Sequence, residues 1–201
     1  MSRPRGPELA PGRRLFVAVP APAEIREAVS GLVDTVRAAA DPEKRDVRWV
    51  RLGGLHLTLR FLGPTEEDRI AGVARAVDLA AAAIHPFDIA IGGAGAFPSV
   101  MRPRALWLGV TAGTAELDAA ARALDDGLAD GGWPRDDRPY RPHLTLARSD
   151  GVKTGPEVAR RLIAAAVSFE VTFRAESLTL FESISGGGPA RYEPLHEARL
   201  G

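Results

Sequence analysis

The amino-acid sequence predicts an α+β fold with two pseudo-symmetric lobes of antiparallel sheet, outer helices, and a cleft between the lobes. One observation is the order of elements, because a strand, a helix, a strand pair and a second helix recur along the chain. Another is the tetrapeptide His-Leu-Thr-Leu, which occurs at residues 56–59 and again at 143–146 in strand-like surroundings. The two halves share no other obvious identity, which indicates weak internal symmetry rather than a solenoid.

In the first half of the chain, short apolar runs predict strands and apolar residues at helical spacing predict helices. Thr65 is placed to cap the second helix, whose first turn carries acidic residues. The predicted strands cover residues 15–19, 47–50 and 56–62, and the predicted helices cover 22–40 and the segment that follows Thr65.

In the second half, Thr114 is placed to cap a third helix, which the glycines at 131 and 132 should stop. Pro156 suits the first turn of a fourth helix that ends near residue 166. The remaining apolar runs predict strands over residues 87–96, 105–110, 143–147, 168–175, 177–184 and 191–199.

Length and composition limit the possibilities. The chain has 201 residues, 45% of them hydrophobic, which suffices for one core. We expect a disordered tail over residues 1–12 and a single two-lobed domain over residues 13–201. The N-terminal segment lacks the apolar stretch of a secretory signal, and no apolar run approaches the ~20 residues that span a membrane.

Two residue counts exclude further classes of function. The chain has no cysteine, which excludes disulfides, thiolate nucleophiles and thiolate metal ligands and fits a reducing cytosol. We therefore expect a cytoplasmic protein with no membrane association. The formal net charge is zero, so any site for a polyanion must be a local basic patch.

The repeated tetrapeptide carries the chemistry. Residues i and i+2 of a strand share a face, so His56 and Thr58 face one way while the leucines between and after them face the other. The same holds for His143 and Thr145. If the two strands meet about a pseudo-twofold axis, they line one cleft with two histidines and two threonines.

That set of side chains suits phosphodiester hydrolysis without a metal or cofactor. A neutral imidazole can deprotonate the attacking water and a protonated one can donate to the leaving oxygen, because a pKa near ~6.5 populates both forms. Threonine hydroxyls can donate to the non-bridging oxygens. The residues alone leave open which histidine is the acid and which is the base.

Other interpretations are weaker. A single His-x-Thr would indicate only a half-buried strand histidine, but two copies in a chain with four histidines favour a site. His85 and His196 lack a threonine partner and are expected to be structural or on the surface. A zinc site lacks cysteine and nearby carboxylates, and no Gly-x-Ser-x-Gly motif supports a serine hydrolase.

Arginines lie near both copies of the tetrapeptide and suit phosphate recognition. They are Arg48, Arg51 and Arg60 near the first copy and Arg138, Arg141 and Arg148 near the second. By strand parity Arg60 shares the face of His56 and Thr58. Arg148 does not share the face of His143, and it could reach the cleft only if its strand ends or bulges first.

The motifs and their flanking residues resemble the RNA 2′,3′-cyclic phosphodiesterases, also called 2′-5′ RNA ligases, of the two-histidine phosphoesterase superfamily. The paired motif is specific for the superfamily, and the flanking blocks are similar to its RNA-processing branch. The matching blocks run in order at residues 14–19, 56–63, 105–110, 138–148, 180–183 and 190–193.

The resemblance implies hydrolysis of a terminal ribose 2′,3′-cyclic phosphate to a 2′-phosphomonoester, with reversible 2′-5′ joining of RNA ends in some members. It implies that His56 is the proton donor and His143 the proton acceptor. It further implies that Thr58, Thr145 and Arg148 bind the phosphate, and it leaves the role of Arg60 open.

The expected partner is RNA with a 2′,3′-cyclic phosphate end, tRNA fragments included, acted on by a monomer. A small cyclic phosphate, such as a cyclic nucleotide or ADP-ribose cyclic phosphate, is an alternative that zero net charge favours. A non-catalytic module that binds RNA ends is disfavoured, because a binding module does not need a paired acid and base.

Overall fold

The computed structural model of the chain describes residues 12–39, 47–149, 154–186 and 188–201. The tail predicted over residues 1–12 lies outside the described residues except for Gly12. Its disorder, and the single domain over residues 13–201, stay predictions.

Each helix and strand expected from the sequence is present, with ends that differ by a few residues. The helices are Ala23–Ala38 (α1), Ile70–Ala82 (α2), Thr114–Asp130 (α3) and Gly155–Ala165 (α4). The strands are Arg13–Pro20 (β1), Val47–Trp49 (β2), His56–Thr65 (β3), Phe87–Phe97 (β4), Ala105–Ala112 (β5), His143–Ser149 (β6), Glu170–Ala175 (β7), Ser177–Ile184 (β8) and Arg191–Arg199 (β9).

Two predicted helix caps are wrong. Thr65 ends β3, where its hydroxyl donates to the carbonyl of Gly63 at 3.3 Å, and a short 3₁₀ turn precedes α2. Thr114 is the first residue of α3, and Gly113 occupies the cap position with φ +84°. Glycine suits this position because a β-carbon there would lie 2.6 Å from the carbonyl oxygen of Asp88. Gly131 does end α3, and Pro156 does lie in the first turn of α4.

The described strands form one antiparallel sheet in the order β7-β4-β5-β6-β3-β1-β8-β9, with β2 added beside β6. The central strands β3 and β6 pair only at Leu57 and Leu144. This junction divides the sheet into two half-sheets, β3-β1-β8-β9 and β6-β5-β4-β7, which correspond strand for strand. The predicted α+β fold with antiparallel lobes is confirmed, and the lobes are halves of a continuous curled sheet.

The helices cover the two half-sheets in pairs. Helices α2 and α3 contact each other and pack on the half-sheet that contains β3 and β8, while α1 and α4 contact each other and pack on the half-sheet that contains β4 and β7. Helix α1, from the first half of the chain, therefore packs with the half-sheet of β4 to β7. No helix in the described part of the chain is long and apolar enough to cross a lipid bilayer.

The leucines of both tetrapeptides belong to the core. Leu57 and Leu59 of β3 are 1% and 6% exposed, and Leu144 and Leu146 of β6 are 1% and 0% exposed. The predicted alternation is therefore confirmed across the tetrapeptides. Because these leucines face the core, the histidines and threonines between them face the opposite side of the sheet.

Candidate active site

The two tetrapeptides meet at a cleft of about 570 Å³ over the junction of β3 and β6. All five residues singled out from the sequence as catalytic or phosphate-binding line it. They are His56, Thr58, His143, Thr145 and Arg148. The pairing of Leu57 with Leu144 brings the two strands together, since it sets the two His-x-Thr segments side by side in opposite directions.

A β-bulge brings Arg148 into the cleft. Along the β5–β6 ladder, Leu106 pairs with Ala147 and Trp107 pairs with Thr145, so Leu146 has no partner on β5. The extra residue reverses the alternation, and Ala147 is buried while Arg148 lies on the side of His143. The strand therefore bulges before Arg148, as the sequence argument required for this side chain to reach the cleft.

A matching bulge removes Arg60 from the cleft. Along the β1–β3 ladder, Ala18 pairs with Thr58 and Val17 pairs with Arg60, so Leu59 has no partner. The expectation that Arg60 shares the face of His56 is wrong, because parity is lost at this bulge. Phe61 lines the cleft instead, with 61% of its surface exposed. It occupies the position on β3 that Arg148 occupies on β6.

Arg60 forms an ion-pair network behind β3. Its guanidinium lies 3.0 Å from the carboxylate of Asp125 on α3 and 3.1 Å from that of Asp136, and it donates to the carbonyl of Pro134. Only 11% of its side chain is exposed. Arg60 thus ties β3 to the segment that leads into β6, a second link beside the single strand pair.

Both catalytic candidates are held in the same tautomer. The Nδ1 atom of His56 lies 2.7 Å from the carbonyl oxygen of Gly54, and that of His143 lies 2.7 Å from the carbonyl oxygen of Arg141. Because a carbonyl oxygen only accepts, each Nδ1 carries a hydrogen and donates it. Each Nε2 is therefore the nitrogen available to accept or release a proton.

Aromatic rings pack around both imidazoles. The ring of His56 lies 4.7 Å from that of Phe16 and 4.9 Å, edge to face, from that of Tyr192. The ring of His143 meets that of Phe97 edge to face at 5.0 Å. Gly54 allows Tyr192 to approach, because a β-carbon there would lie 2.8 Å from the tyrosine ring.

This packing and the nearby charges lower the pKa of both histidines. Burial lowers the pKa of His56, opposed by its hydrogen bond to Gly54, and the charges of His143 and Arg148 lower it further. Burial likewise lowers the pKa of His143, opposed by its hydrogen bond to Arg141, and the charge of Arg148 adds to the decrease. Arg148 therefore acts on both imidazoles at once.

Sequence reasoning missed several residues of the cleft. Arg104 lines it together with Phe61, Phe97 and Pro98. Phe97, Pro98 and Arg104 lie at the turn of the β4–β5 hairpin, and no local sequence motif identifies them as site residues. Arg141, one of the arginines that the sequence places near the second tetrapeptide, lines the cleft as well.

The other histidines lie elsewhere. The Nδ1 atom of His85 is 2.8 Å from the carbonyl oxygen of Gly201, and Nε2 of His196 is 2.7 Å from the carboxylate of Asp78. Neither lines the cleft, which confirms the expectation that they are structural or on the surface. Within the described ranges, no three His, Asp or Glu side chains group as potential metal ligands.

Comparison with known proteins gives consistent matches. The model of the 2′-5′ RNA ligase superfamily matches residues 21–187. An RNA 2′,3′-cyclic phosphodiesterase of Methanothermobacter thermautotrophicus is 33% identical over 93% of this chain and 98% of the relative. One of Escherichia coli is 32% identical over 91% of this chain and 94% of the relative. The crystal structure of E. coli LigT complexed with 3′-AMP matches with a TM-score of 0.69 at 29% identity, over 94% of this chain and 98% of LigT.

Proposed function

The chain belongs to the 2′-5′ RNA ligase superfamily, and on that premise we propose that it opens 2′,3′-cyclic phosphates at RNA ends with His56 and His143 as its acid and base. It is a cyclic phosphodiesterase, as are the relatives that it matches over nearly its whole length. The observation that carries the mechanism is the pair of imidazoles in one cleft, each with Nε2 available for proton transfer.

The proposed reaction uses each imidazole once. Nε2 of neutral His143 accepts a proton from water as the water oxygen bonds to phosphorus. The bond between phosphorus and the ribose O3′ breaks, and Nε2 of protonated His56 donates its proton to O3′. The product is a 2′-phosphomonoester. The same steps with an RNA 5′-hydroxyl in place of water form a 2′-5′ bond, the joining reaction that the family resemblance implies for some members.

The remaining cleft residues hold the phosphate in this mechanism. The hydroxyls of Thr58 and Thr145 donate to the non-bridging oxygens, and the guanidinium of Arg148 balances their charge. LigT has been solved in complex with 3′-AMP, which supports a nucleotide as a ligand of this protein. We propose tRNA fragments among the RNA substrates, and a monomer acting in the cytoplasm as the working form.

The first test follows the product of a short RNA that carries a 2′,3′-cyclic phosphate, incubated with the enzyme in EDTA. We expect complete conversion to the 2′-phosphate, because proton transfer by the imidazoles needs no metal. Loss of activity in the chelator would contradict the metal-free mechanism. A 3′-phosphate product would contradict cleavage at O3′.

Phe61 is the exposed aromatic ring of the cleft and suits stacking on the terminal nucleobase. We expect Phe61→Ala to raise KM about tenfold with little change in kcat, since stacking contributes ~1–3 kcal/mol per base. Phe61→Tyr should keep the KM of the original enzyme. Leu79→Ala removes an exposed apolar side chain from α2, outside the cleft, and serves as the control. An unchanged KM in Phe61→Ala would exclude this role.

A further inference from the structure

The cleft holds more positive charge than one reacting phosphate requires. Arg104, Arg141 and Arg148 all line it, and among the described residues none of them lies within ion-pair distance of a carboxylate. A cyclic phosphate diester carries one negative charge. Like charges facing one cleft repel each other, so their arrangement indicates an anionic ligand with more than one charged group.

Arg104 and Arg148 lie at one end of the cleft, and Arg141 lies at the other. Arg148 pairs with Ala105, so Arg104 and Arg148 lie together at the end of β6. Arg141 precedes the start of β6, and the strand from His143 to Arg148 extends over roughly 15 Å. Arg148 lies close enough to both imidazoles for its charge to lower the pKa of each.

Arg141 shares its end of the cleft with Phe61. Strands β3 and β6 are antiparallel, so the residues that follow Thr58 run toward the start of β6. Arg60, next to Phe61, reaches the carbonyl of Pro134 in the segment before β6, which confirms this direction. An exposed aromatic ring and a guanidinium with no ion-pair partner among the described residues, together at one end of a cleft, suit a nucleoside that carries a phosphate on its 5′ side.

We propose that Arg141 forms a second anion subsite, which binds the phosphate on the 5′ oxygen of the terminal nucleoside while the cyclic phosphate of the same ribose reacts between His56 and His143. The proposal rests on the proposed function and narrows its substrate class. The enzyme then favours RNA ends and 5′-phosphorylated nucleotides over a bare nucleoside 2′,3′-cyclic phosphate.

The test compares kcat/KM for three substrates with the same terminal base: a nucleoside 2′,3′-cyclic phosphate, its 5′-phosphorylated form, and a dinucleotide with a 2′,3′-cyclic end. In the unmodified enzyme, both substrates with a 5′-side phosphate should exceed the bare nucleoside about tenfold, the effect of one charge-assisted contact. In Arg141→Gln, the ratio of kcat/KM with a 5′-side phosphate to kcat/KM without one should fall to near one. Arg141→Lys keeps the charge and should keep most of the ratio.

Arg104→Gln is the matched control, because it removes the same charge from the opposite end of the same cleft. Its ratio should stay at the original value. If the ratio fell equally in Arg141→Gln and Arg104→Gln, the cause would be the overall positive charge of the cleft, and the proposed subsite would be overturned. So would an unmodified enzyme that favours only the dinucleotide, since the second nucleoside would then be the cause. Failure to hydrolyse any of the three substrates would instead overturn the proposed function.

Discussion

Replacing His143 with alanine should lower kcat for cyclic phosphate hydrolysis by about three orders of magnitude, and His56→Ala should cause a loss of similar size. A positioned general acid or base contributes ~10²–10⁴-fold to such a reaction. In each imidazole Nδ1 donates to a backbone carbonyl and only Nε2 is available to the cleft. The histidine that remains in either variant therefore cannot act as acid and base at once. The measurement is single-turnover hydrolysis of a short RNA with a 2′,3′-cyclic end.

The chain offers two histidines as matched controls. His85 contacts the carbonyl of Gly201 and His196 pairs with Asp78, both outside the cleft. His85→Ala and His196→Ala should hydrolyse the same RNA at the original rate. A loss of less than tenfold in either cleft variant would contradict acid–base catalysis by the pair.

A second substrate separates the acid from the base. A phosphodiester with a nitrophenol leaving group needs no proton as that group departs, whereas its attacking water still needs a base. His56→Ala should therefore retain much of its activity on this diester, while His143→Ala should lose it. The reverse result would exchange the roles that the family resemblance assigns to the two residues.

Arg148→Gln should lower kcat/KM about 10- to 100-fold and move its pH profile to higher pH. A hydrogen bond to a charged group is worth ~1.5–3 kcal/mol, which sets the size of the first effect. The second effect arises because the charge of Arg148 lowers the pKa of both imidazoles. Without it both pKa values rise, so the base needs a higher pH to lose its proton and the acid keeps its proton to a higher pH.

The measurement is kcat/KM across the pH range of histidine titration for the original enzyme and two variants. Arg148→Lys keeps the positive charge but loses the planar fork, so its activity should fall while its pH profile stays close to the original. If Arg148→Gln kept the original profile, Arg148 would not act electrostatically on the histidines.

Much of the site follows from local sequence patterns. Period-two alternation places His56 with Thr58 and His143 with Thr145, and it places the leucines in the core. Apolar periodicity likewise locates the helices and strands, because it depends on neighbours a few residues away. The chemistry of a symmetric acid–base pair with hydroxyl donors can therefore be inferred before any tertiary contact is known.

Tertiary structure decided what lies beyond the tetrapeptides. The bulges at Leu59 and Leu146 depend on how β3 pairs with β1 and how β6 pairs with β5, and they set which later residue faces the cleft. They exclude Arg60 and admit Phe61 and Arg148. These pairings join strands that are far apart in the chain, so local periodicity does not predict them.

The composition of the two lobes was likewise decided by tertiary structure. Sequence periodicity indicates two similar halves, but α1 packs with α4 on the half-sheet of β4 to β7, while β8 and β9 complete the half-sheet of β1 and β3. The repeated His-Leu-Thr-Leu by itself determined the reacting groups and the side of each strand on which they lie. Only long-range pairing decided which later residues face the cleft, Phe61 on one strand and Arg148 at the equivalent position of the other, because the partner strands fix where each bulge lies.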